Sequence, residues 1–289
     1  MNILSLFDGI SCGRIALERA GIPVTNYYAS EIDKHAKKIA LANFPGTIQL
    51  GDVRTITTEM IPDKIDVLVG GSPCTDLSVL NKNGKGLEGK KSGLFYEFVR
   101  LKEELKPKYF LLENVYSMKR EFRDKITELL GVEPILLNSK LVSAQSRSRL
   151  YWTNIPGIVE PEDRGILLKD IIESGYTEKE KASCLTASYN SSAVMNYFFR
   201  AERQKIFTCP ITATTHTTSG FTVNTYHTPS DKIEVIFNKK EKYIYQKERN
   251  KESLEKLKKI TRKLSVLECE RLQTLPERYC NYVIWFYSF

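Results

Sequence analysis

The segment MNILSLFDGISCGRIALERAG, residues 1–21, decides the fold because a glycine-bearing turn joins an apolar run to a helical pattern. MNILSLF predicts a strand, and GRIALERAG predicts a helix that ends at Gly21. Gly9 and Gly13 allow the backbone of the turn to approach a ligand closely. Unpaired N–H groups at the start of the helix attract a carboxylate or phosphate. The turn is therefore a candidate ligand site, although it lacks the G-x-G-x-x-G pattern of dinucleotide enzymes.

The same alternation of strand and helix continues to about residue 155. Further strands are predicted at TNYYASE, KIDVLVGG, KYFLLENV and PILLNSKLVS, and further helices at DKHAKKIALANF, GLFYEFVRLKEEL and REFRDKITELLG. Strands that alternate with helices predict an α/β fold with a doubly wound, mostly parallel sheet. In such folds ligands bind at the carboxyl ends of the strands.

The pattern changes from about residue 158. Residues 183–230 are rich in Thr, Ser, Asn and aromatic residues, which favours short strands and loops. Helices are predicted at KESLEKLKKI and at LSVLECERLQTLPERY, the second closed by Pro276. We therefore expect a first domain over residues 1–157, a smaller mixed domain over 158–260, and a C-terminal segment over 261–289 that returns to the first domain.

The charge of the chain is uneven. The net charge is +8, and residues 232–263 alone carry twelve Lys or Arg against five Glu. A basic segment of this kind favours a polyanionic partner such as nucleic acid. The alternative interpretation is a helix that carries its lysines on the solvent-exposed face and binds no such partner.

Membrane, secreted and metal-binding classes find little support in the sequence. No run approaches the ~20 apolar residues of a membrane span, and no basic leader precedes Asp8, so we expect a cytoplasmic protein without a membrane partner. Six cysteines form no C-x-x-C pair, which argues against zinc knuckles and a disulfide framework. The three histidines show no metal-ligand spacing, and no metal is expected.

Acidic residues follow several predicted strands. Glu31 lies where doubly wound folds place an acid against ribose hydroxyls, and Asp52 could accept a hydrogen bond from an adenine amino group. No G-x-x-x-x-G-K-[ST] motif is present. Together the two carboxylates predict a nucleoside pocket without a triphosphate loop.

A thiol and a carboxyl group follow the next two strands. Cys74 comes directly after Pro73, beyond the apolar run, where a turn could expose it as a nucleophile. Glu113 is suited to donate a proton to a ring nitrogen and so to prepare a heterocycle for attack by sulfur. Arg147 and Arg149, two residues apart, could share one side of a strand and bind a phosphate or a base carbonyl.

The order of these motifs resembles that of the DNA cytosine-5 methyltransferases, in particular the phage and bacterial branch. The matching segments are SLFDGISCG, SEID, GDV, GGSPC, ENV, QSRSR and RKLSVLECERLQTLPERY. The resemblance implies a fold of the S-adenosylmethionine-dependent methyltransferase type with a smaller target-recognition domain. It also implies double-stranded DNA as partner, a monomer, and a role in DNA methylation or restriction–modification.

The resemblance also implies roles for the catalytic residues. The Cys74 thiolate would add to carbon 6 of a flipped cytosine, and Glu113 would protonate nitrogen 3. Arg149 would hold the cytosine carbonyl oxygen, while Arg147 and Gln145 would brace the site. The glycine- and lysine-rich loop after Cys74 would close over the DNA.

For S-adenosylmethionine, the resemblance implies a pocket in which Glu31 binds the ribose, Ile32 packs on the adenine and Asp52 holds its amino group. The other cofactor residues implied in this way are Phe7, Asp8, Gly9, Val53 and Pro73.

One family feature is not found in this sequence. The family closes with a G-N-x-V-like segment, whereas the sequence here reads CNYVIWFYSF over residues 280–289. We expect a frameshift, a truncated gene or a second polypeptide that supplies the segment. An inert DNA-binding relic, an accessory subunit and a tRNA cytosine-5 methyltransferase therefore stay open as alternatives.

Overall fold

The computed structural model describes most of the chain in two units. The described residues are 1–74, 76, 86–89, 91–185, 205–209, 212–218, 221–230, 232–237, 250–277 and 279–280. The first unit comprises residues 1–138, 148–160 and 278–289, and the second comprises residues 139–147 and 161–277. The recognition role of residues 158–260 stays a prediction.

The first unit is built on a mostly parallel sheet that has seven strands within the described residues, in the order β3-β2-β1-β4-β5-β7-β6. Only β7 runs antiparallel to its neighbours β5 and β6. The strands are β1 Asn2–Leu6, β2 Asn26–Ser30, β3 Ile48–Gln49, β4 Val67–Gly70, β5 Tyr109–Val115, β6 Ile135–Asn138 and β7 Ser148–Thr153. The predicted doubly wound α/β fold is confirmed. Because β2 and β4 flank β1 on opposite sides, the strand order reverses there, which is the usual place for a ligand site.

Four helices of the first unit match the predicted helical segments to within two residues at each end. They are α1 Cys12–Arg19, α2 Lys34–Asn43, α3 Phe95–Leu105 and α4 Arg120–Leu130. The Asp33 carboxylate caps α2 by accepting the N–H groups of His35 and Ala36, and α4 ends at the left-handed Gly131. No helix in the described part of the chain combines the length and apolarity that a membrane crossing needs.

Apolar side chains alternate between the two faces of the sheet, as the two-residue period of a strand requires. Ile3 faces the side covered by α1, and Leu4 faces the side covered by α3. Burying each such side chain contributes about 1.5–3 kcal/mol, so both faces hold the strand ends in fixed positions. The two sets are Ile3, Tyr27, Ala29 and Val67 on one face, and Leu4, Leu6, Tyr28, Leu68, Phe98 and Leu101 on the other.

Two predicted boundaries are wrong. The strand predicted over PILLNSKLVS stops at Asn138 because the chain turns into a short 3₁₀ helix at Ser139–Leu141. The helix predicted to reach Pro276 stops at Leu272 because Thr274 adopts a left-handed φ of 54°. The two-residue strand β3 lies outside the predicted strands.

The second unit contains an antiparallel sheet, a short strand pair and two helices within its described residues. The sheet has the order β11-β10-β9, and β8 pairs with β12. The elements are β8 Ile206–Phe207, β9 Thr212–Thr218, β10 Phe221–His227, β11 Lys232–Phe237, α5 Lys251–Lys259, β12 Thr261–Arg262 and α6 Val266–Leu272. One cluster of buried apolar side chains among its described residues is formed by Ala144, Leu168, Ala182, Ile206, Leu264 and Leu272.

Candidate active site and cofactor pocket

The loop that follows β1, residues 7–11, is held in a strained conformation. Phe7 and Ser11 have positive φ angles of 57° and 63°, on either side of Gly9 at 58°. A left-handed conformation costs a residue other than glycine about 1–2 kcal/mol. Backbone hydrogen bonds offset this cost, from the N–H of Asp8 to the carbonyl of Ser30 and from the N–H of Ser11 to the carbonyl of Asp8. The loop is therefore fixed against the end of β2.

Glu31 ties this loop to the start of the next helix. Its Oε2 accepts the N–H of Gly9 at 2.8 Å, and its Oε1 accepts the N–H groups of Ile32 and Asp33, also at 2.8 Å. A carboxylate oxygen has two lone pairs, so Oε2 keeps one for a further donor. The arrangement leaves Glu31 able to accept a hydrogen bond from a sugar hydroxyl.

Asp52 lies beyond β3, at the start of a 3₁₀ helix over Val53–Thr55. The Ser30 hydroxyl donates to the carbonyl of Gly51 at 2.8 Å, which places Asp52 beside the end of β2. Hydrogen bonds from the Arg54 side chain and backbone lower the pKa of the Asp52 carboxyl group. Asp52 is thus an ionised acceptor.

A pocket of about 300 Å³ lies at these strand ends. Six of the eight predicted cofactor residues line it, namely Phe7, Glu31, Ile32, Asp52, Val53 and Pro73. The lining residues that the sequence did not single out are Ser30, Arg54, Lys91 and Leu94. Ser30 stands within the SEID motif, whereas no pattern pointed to Arg54.

Asp8 is absent from that lining. Its carboxylate accepts the hydroxyl groups of Ser11 and Tyr27, the latter at 2.7 Å, and the residue is buried. Burial raises the pKa of Asp8, and the hydroxyl donors only partly oppose that effect. The Asp8 carboxyl group therefore organises the loop from inside. Gly9, also absent from the lining, contributes its N–H to Glu31.

The chemistry of the pocket fits an adenosine group. Ile32 is 70% exposed although it is a large apolar residue, so a flat ring could cover it. Glu31 offers an acceptor for a sugar hydroxyl, and Asp52 offers a carboxylate for an amino group. Apolar walls with a few oriented polar groups are typical of cofactor sites.

The loop after β4 carries Cys74 and is attached to β5. The Asn114 side-chain amide donates to the carbonyl and the hydroxyl of Ser72, both at 3.2 Å. Gly71 allows a close approach, since a Cβ there would lie 3.1 Å from Oε2 of Glu113. Cys74 carries a free, half-buried thiol. Asn114, the middle residue of the ENV motif, is a positioning residue that the sequence analysis missed.

Glu113 and Arg149 form an ion pair between β5 and β7. Nε of Arg149 lies 2.6 Å from Oε1 of Glu113, and both side chains are largely shielded from solvent. Antiparallel pairing places Arg149 opposite Val115, two residues beyond Glu113. The structure therefore brings together the loop of Cys74, the Glu113 carboxylate and the Arg149 guanidinium.

Arg147 is held differently. Because β7 begins at Ser148, the expectation that Arg147 and Arg149 share one side of a strand is wrong. Arg147 belongs to the second unit, where its Nη1 lies 3.1 Å from Sγ of Cys184. In the same unit, the buried Gln145 accepts the amide of Gln273 at 3.2 Å.

Much of the loop predicted to close over DNA lies outside the described residues, namely 75, 77–85 and 90.

Comparison with known proteins gives a family match over nearly the whole chain. The profile of the C-5 cytosine-specific DNA methylases matches residues 1–284. Orphan methyltransferase M.SPRI of Bacillus phage SPR is 32% identical over 190 residues, which cover 61% of this chain and 43% of the relative. Type II methyltransferase M.HpaII of Haemophilus parainfluenzae is 32% identical over 193 residues, covering 60% and 53%. The chain thus spans about half the length of these curated relatives.

Solved structures show the same fold at low identity. A DNMT2 mutant of Spodoptera frugiperda is similar with a TM-score of 0.64 at 18% identity, covering 96% of this chain and 89% of that one. S. pombe Dnmt2 methyltransferase gives a TM-score of 0.58 at 18% identity, covering 96% and 88%.

Proposed function

The chain belongs to the C-5 cytosine-specific DNA methylase family, and from this premise we propose that it methylates carbon 5 of cytosine in double-stranded DNA. One observation carries the proposal: the Glu113–Arg149 ion pair stands against the loop that presents Cys74. Nucleophilic attack on a cytosine ring needs three groups, namely a thiol, a carboxyl group and a guanidinium.

In the proposed reaction the Cys74 thiolate adds to carbon 6 of the cytosine. Nitrogen 3 takes a proton from the Glu113 carboxyl group, and carbon 5 becomes nucleophilic. Bound S-adenosylmethionine supplies the methyl group that carbon 5 takes. Carbon 5 then loses its proton to solvent, the Cys74 thiolate is eliminated, and nitrogen 3 returns its proton to Glu113, which restores the aromatic ring and both side chains.

Arg149 orients the acid. Its Nε holds one oxygen of Glu113, and its Nη1 donates to the carbonyl of Ser148 at 2.8 Å, so the guanidinium plane is fixed. A remaining guanidinium N–H can then hold the carbonyl oxygen of the cytosine. Asn114 holds the Cys74 loop at the same strand end, which limits the movement of the nucleophile.

The pocket at the ends of β1 and β2 would hold the adenosine part of S-adenosylmethionine. Glu31 would accept from the ribose, Ile32 would pack on the adenine, and Asp52 would accept from its amino group, with Phe7, Val53 and Pro73 as walls. Gly9 and Asp8 would act through the loop, by the bond to Glu31 and by the buried hydroxyl contacts.

The second unit would recognise the DNA target. The basic residues between 232 and 263 favour contact with phosphates, which is salt-dependent and independent of sequence. Carbon 5 of a stacked cytosine is out of reach of a protein nucleophile, so the base must leave the helix. Arg147, held by Cys184 in this unit, would brace the site.

The test is covalent trapping. Duplex DNA that contains 5-fluorocytosine is incubated with S-adenosylmethionine and the full chain, because fluorine at carbon 5 blocks the final elimination. We expect an adduct that resists denaturant and is lost in Cys74→Ser, whose methyl transfer to ordinary DNA falls at least about 10³-fold. Cys209→Ser, which changes another half-buried thiol, serves as the matched control and should form the adduct.

Two outcomes would contradict the proposal. DNA and cofactor binding without an adduct would identify an inert DNA-binding relative. An adduct with 5-fluorocytosine RNA but none with DNA would identify an RNA methyltransferase.

A further inference from the structure

The Asp52 carboxylate at the cofactor pocket already has a partner within the chain. Oδ1 accepts the backbone N–H of Arg54 and its Nε, both at 3.0 Å. Oδ2 accepts Nη2 of Arg54 at 2.5 Å and shares Nε at 3.1 Å. The guanidinium therefore lies along the carboxylate, and both residues line the pocket.

Few acceptor positions are left on Asp52. Two lone pairs on each oxygen give four positions, and both positions on Oδ1 are used by Arg54. An incoming amino group that approaches Oδ2 meets the guanidinium nitrogen that already occupies it. A donor from a ligand must displace the Arg54 side chain to reach the carboxylate fully.

Displacement is inexpensive because the Arg54 side chain is 65% exposed, so it can return to water. Exposed ion pairs of this kind contribute little to stability and weaken with salt. The backbone N–H of Arg54 stays in place when the side chain leaves, so Asp52 continues to cap the 3₁₀ helix.

We propose that the Arg54 guanidinium competes with the amino group of the purine for the Asp52 carboxylate. This competition sets the affinity and base selectivity of the cofactor pocket. This inference rests on the proposed function. A 6-amino purine donates to Asp52 only when the guanidinium leaves. A 6-oxo purine carries an acceptor at that position, which can take an N–H from Arg54 without breaking the ion pair. Arg54 therefore reduces the preference of the pocket for the amino purine.

The experiment measures the dissociation constants of two ligands with the full chain by calorimetry. The probes are S-adenosylhomocysteine and S-inosylhomocysteine, which differ at the 6-position of the purine. In Arg54→Ala we expect S-adenosylhomocysteine to bind about two- to five-fold more tightly. S-inosylhomocysteine should bind equally well or more weakly. Raising the salt concentration should tighten binding of the adenine ligand to the wild type more than to Arg54→Ala.

Two controls separate competition from a general charge effect. Arg120→Ala removes an exposed, ion-paired arginine of α4, outside the pocket lining, and should leave both constants unchanged. In Asp52→Asn the adenine ligand should bind more weakly, and the added Arg54→Ala change should then have no effect.

The outcomes also separate this inference from the proposed function. Equal tightening of both ligands in Arg54→Ala would show charge repulsion alone and would overturn the inference, as would weaker binding of the adenine ligand. Failure of the wild type to bind S-adenosylhomocysteine at all would overturn the proposed cofactor pocket itself, and the inference with it.

Discussion

Two buried carboxylates, Asp8 in the first unit and Glu268 in the second, have pKa values shifted in opposite directions. Asp8 is 8% exposed and accepts hydroxyl groups of Ser11 and Tyr27, which oppose burial only in part, so its pKa is raised. Glu268 is fully buried, yet hydrogen bonds from Arg262 and from backbone N–H groups overcome the effect of burial and lower its pKa. The partners of a buried carboxylate, and not its burial alone, decide whether its pKa is raised or lowered.

The two sites also join different parts of the chain. Asp8 fixes a loop next to the pocket at the ends of β1 and β2, within the first 30 residues. Glu268 connects its own segment, residues 262–268, to the distant Glu173, because its oxygens accept both Nη groups of Arg262 and the N–H groups of Ser265 and Glu173, all at 2.7 Å. In the second unit this network fixes the start of α6 to Glu173.

The largest effect is expected for Arg262→Met. Removing one partner of a buried ion pair leaves an uncompensated charge, which costs about 3–5 kcal/mol of unfolding free energy. In the wild type, Glu268 contributes stability above its unfolded-state pKa and loses it as the pH falls through the lower folded-state value. In the variant only the backbone N–H groups of Ser265 and Glu173 still oppose burial, so the pKa of Glu268 rises, and the gain in stability with rising pH should shrink or reverse.

Hydrogen exchange measured by mass spectrometry between pH 5 and 8 reports the local stability of each unit separately. Peptides from residues 166–185 and 260–277 should lose protection in Arg262→Met, while peptides from residues 1–50 keep it. The double variant Arg262→Met/Glu268→Met should recover much of the loss, since an apolar pair can replace a buried ion pair. Equal loss of protection in both units would contradict the separate roles of the two carboxylates.

A smaller effect, about 1.5–3 kcal/mol, is expected for Tyr27→Phe, because a hydrogen bond to a buried charged group is lost. The Tyr27 hydroxyl lowers the pKa of Asp8, so its removal raises that pKa further. A carboxyl group with a raised pKa loses stability as the pH rises, and the deficit of the variant should therefore grow from pH 4 to pH 8.

Thermal unfolding of the full chain at several pH values measures this deficit. Tyr116→Phe is the matched control, because Tyr116 is 51% exposed, and it should unfold as the wild type does. A deficit that shrinks with rising pH would mean that Asp8 is not the group affected.

Much of the first unit could be predicted from sequence because its signals are local. The two-residue alternation around Ile3 and Leu4, the cap at Asp33 and the glycine at 131 each act within a few residues. Motif spacing also placed Glu31 and Cys74 at strand ends, since parallel strands end at one edge of a sheet.

The remaining features depend on partners that no local pattern reveals. Glu268 and Glu173 are 95 residues apart, and the Arg147–Cys184 contact spans 37 residues. The orientation of the Asp8 side chain depends on the hydrogen bond from the Tyr27 hydroxyl in the next strand. The side chain of Arg54 is exposed, so hydropathy could not predict that it forms an ion pair with Asp52.

The smallest effect, about 1 kcal/mol, is expected for Ser265→Ala. The Ser265 hydroxyl accepts the N–H of Glu268 at 3.1 Å and caps α6, while the backbone N–H of Ser265 donates to the Glu268 carboxylate. Alanine removes the cap but keeps the backbone donor and Arg262, so Glu268 stays ionised. The variant should therefore lower the protection of residues 260–277 equally at pH 5 and pH 8. A pH-dependent loss would instead assign the hydroxyl, rather than the guanidinium, the main part in holding the Glu268 anion.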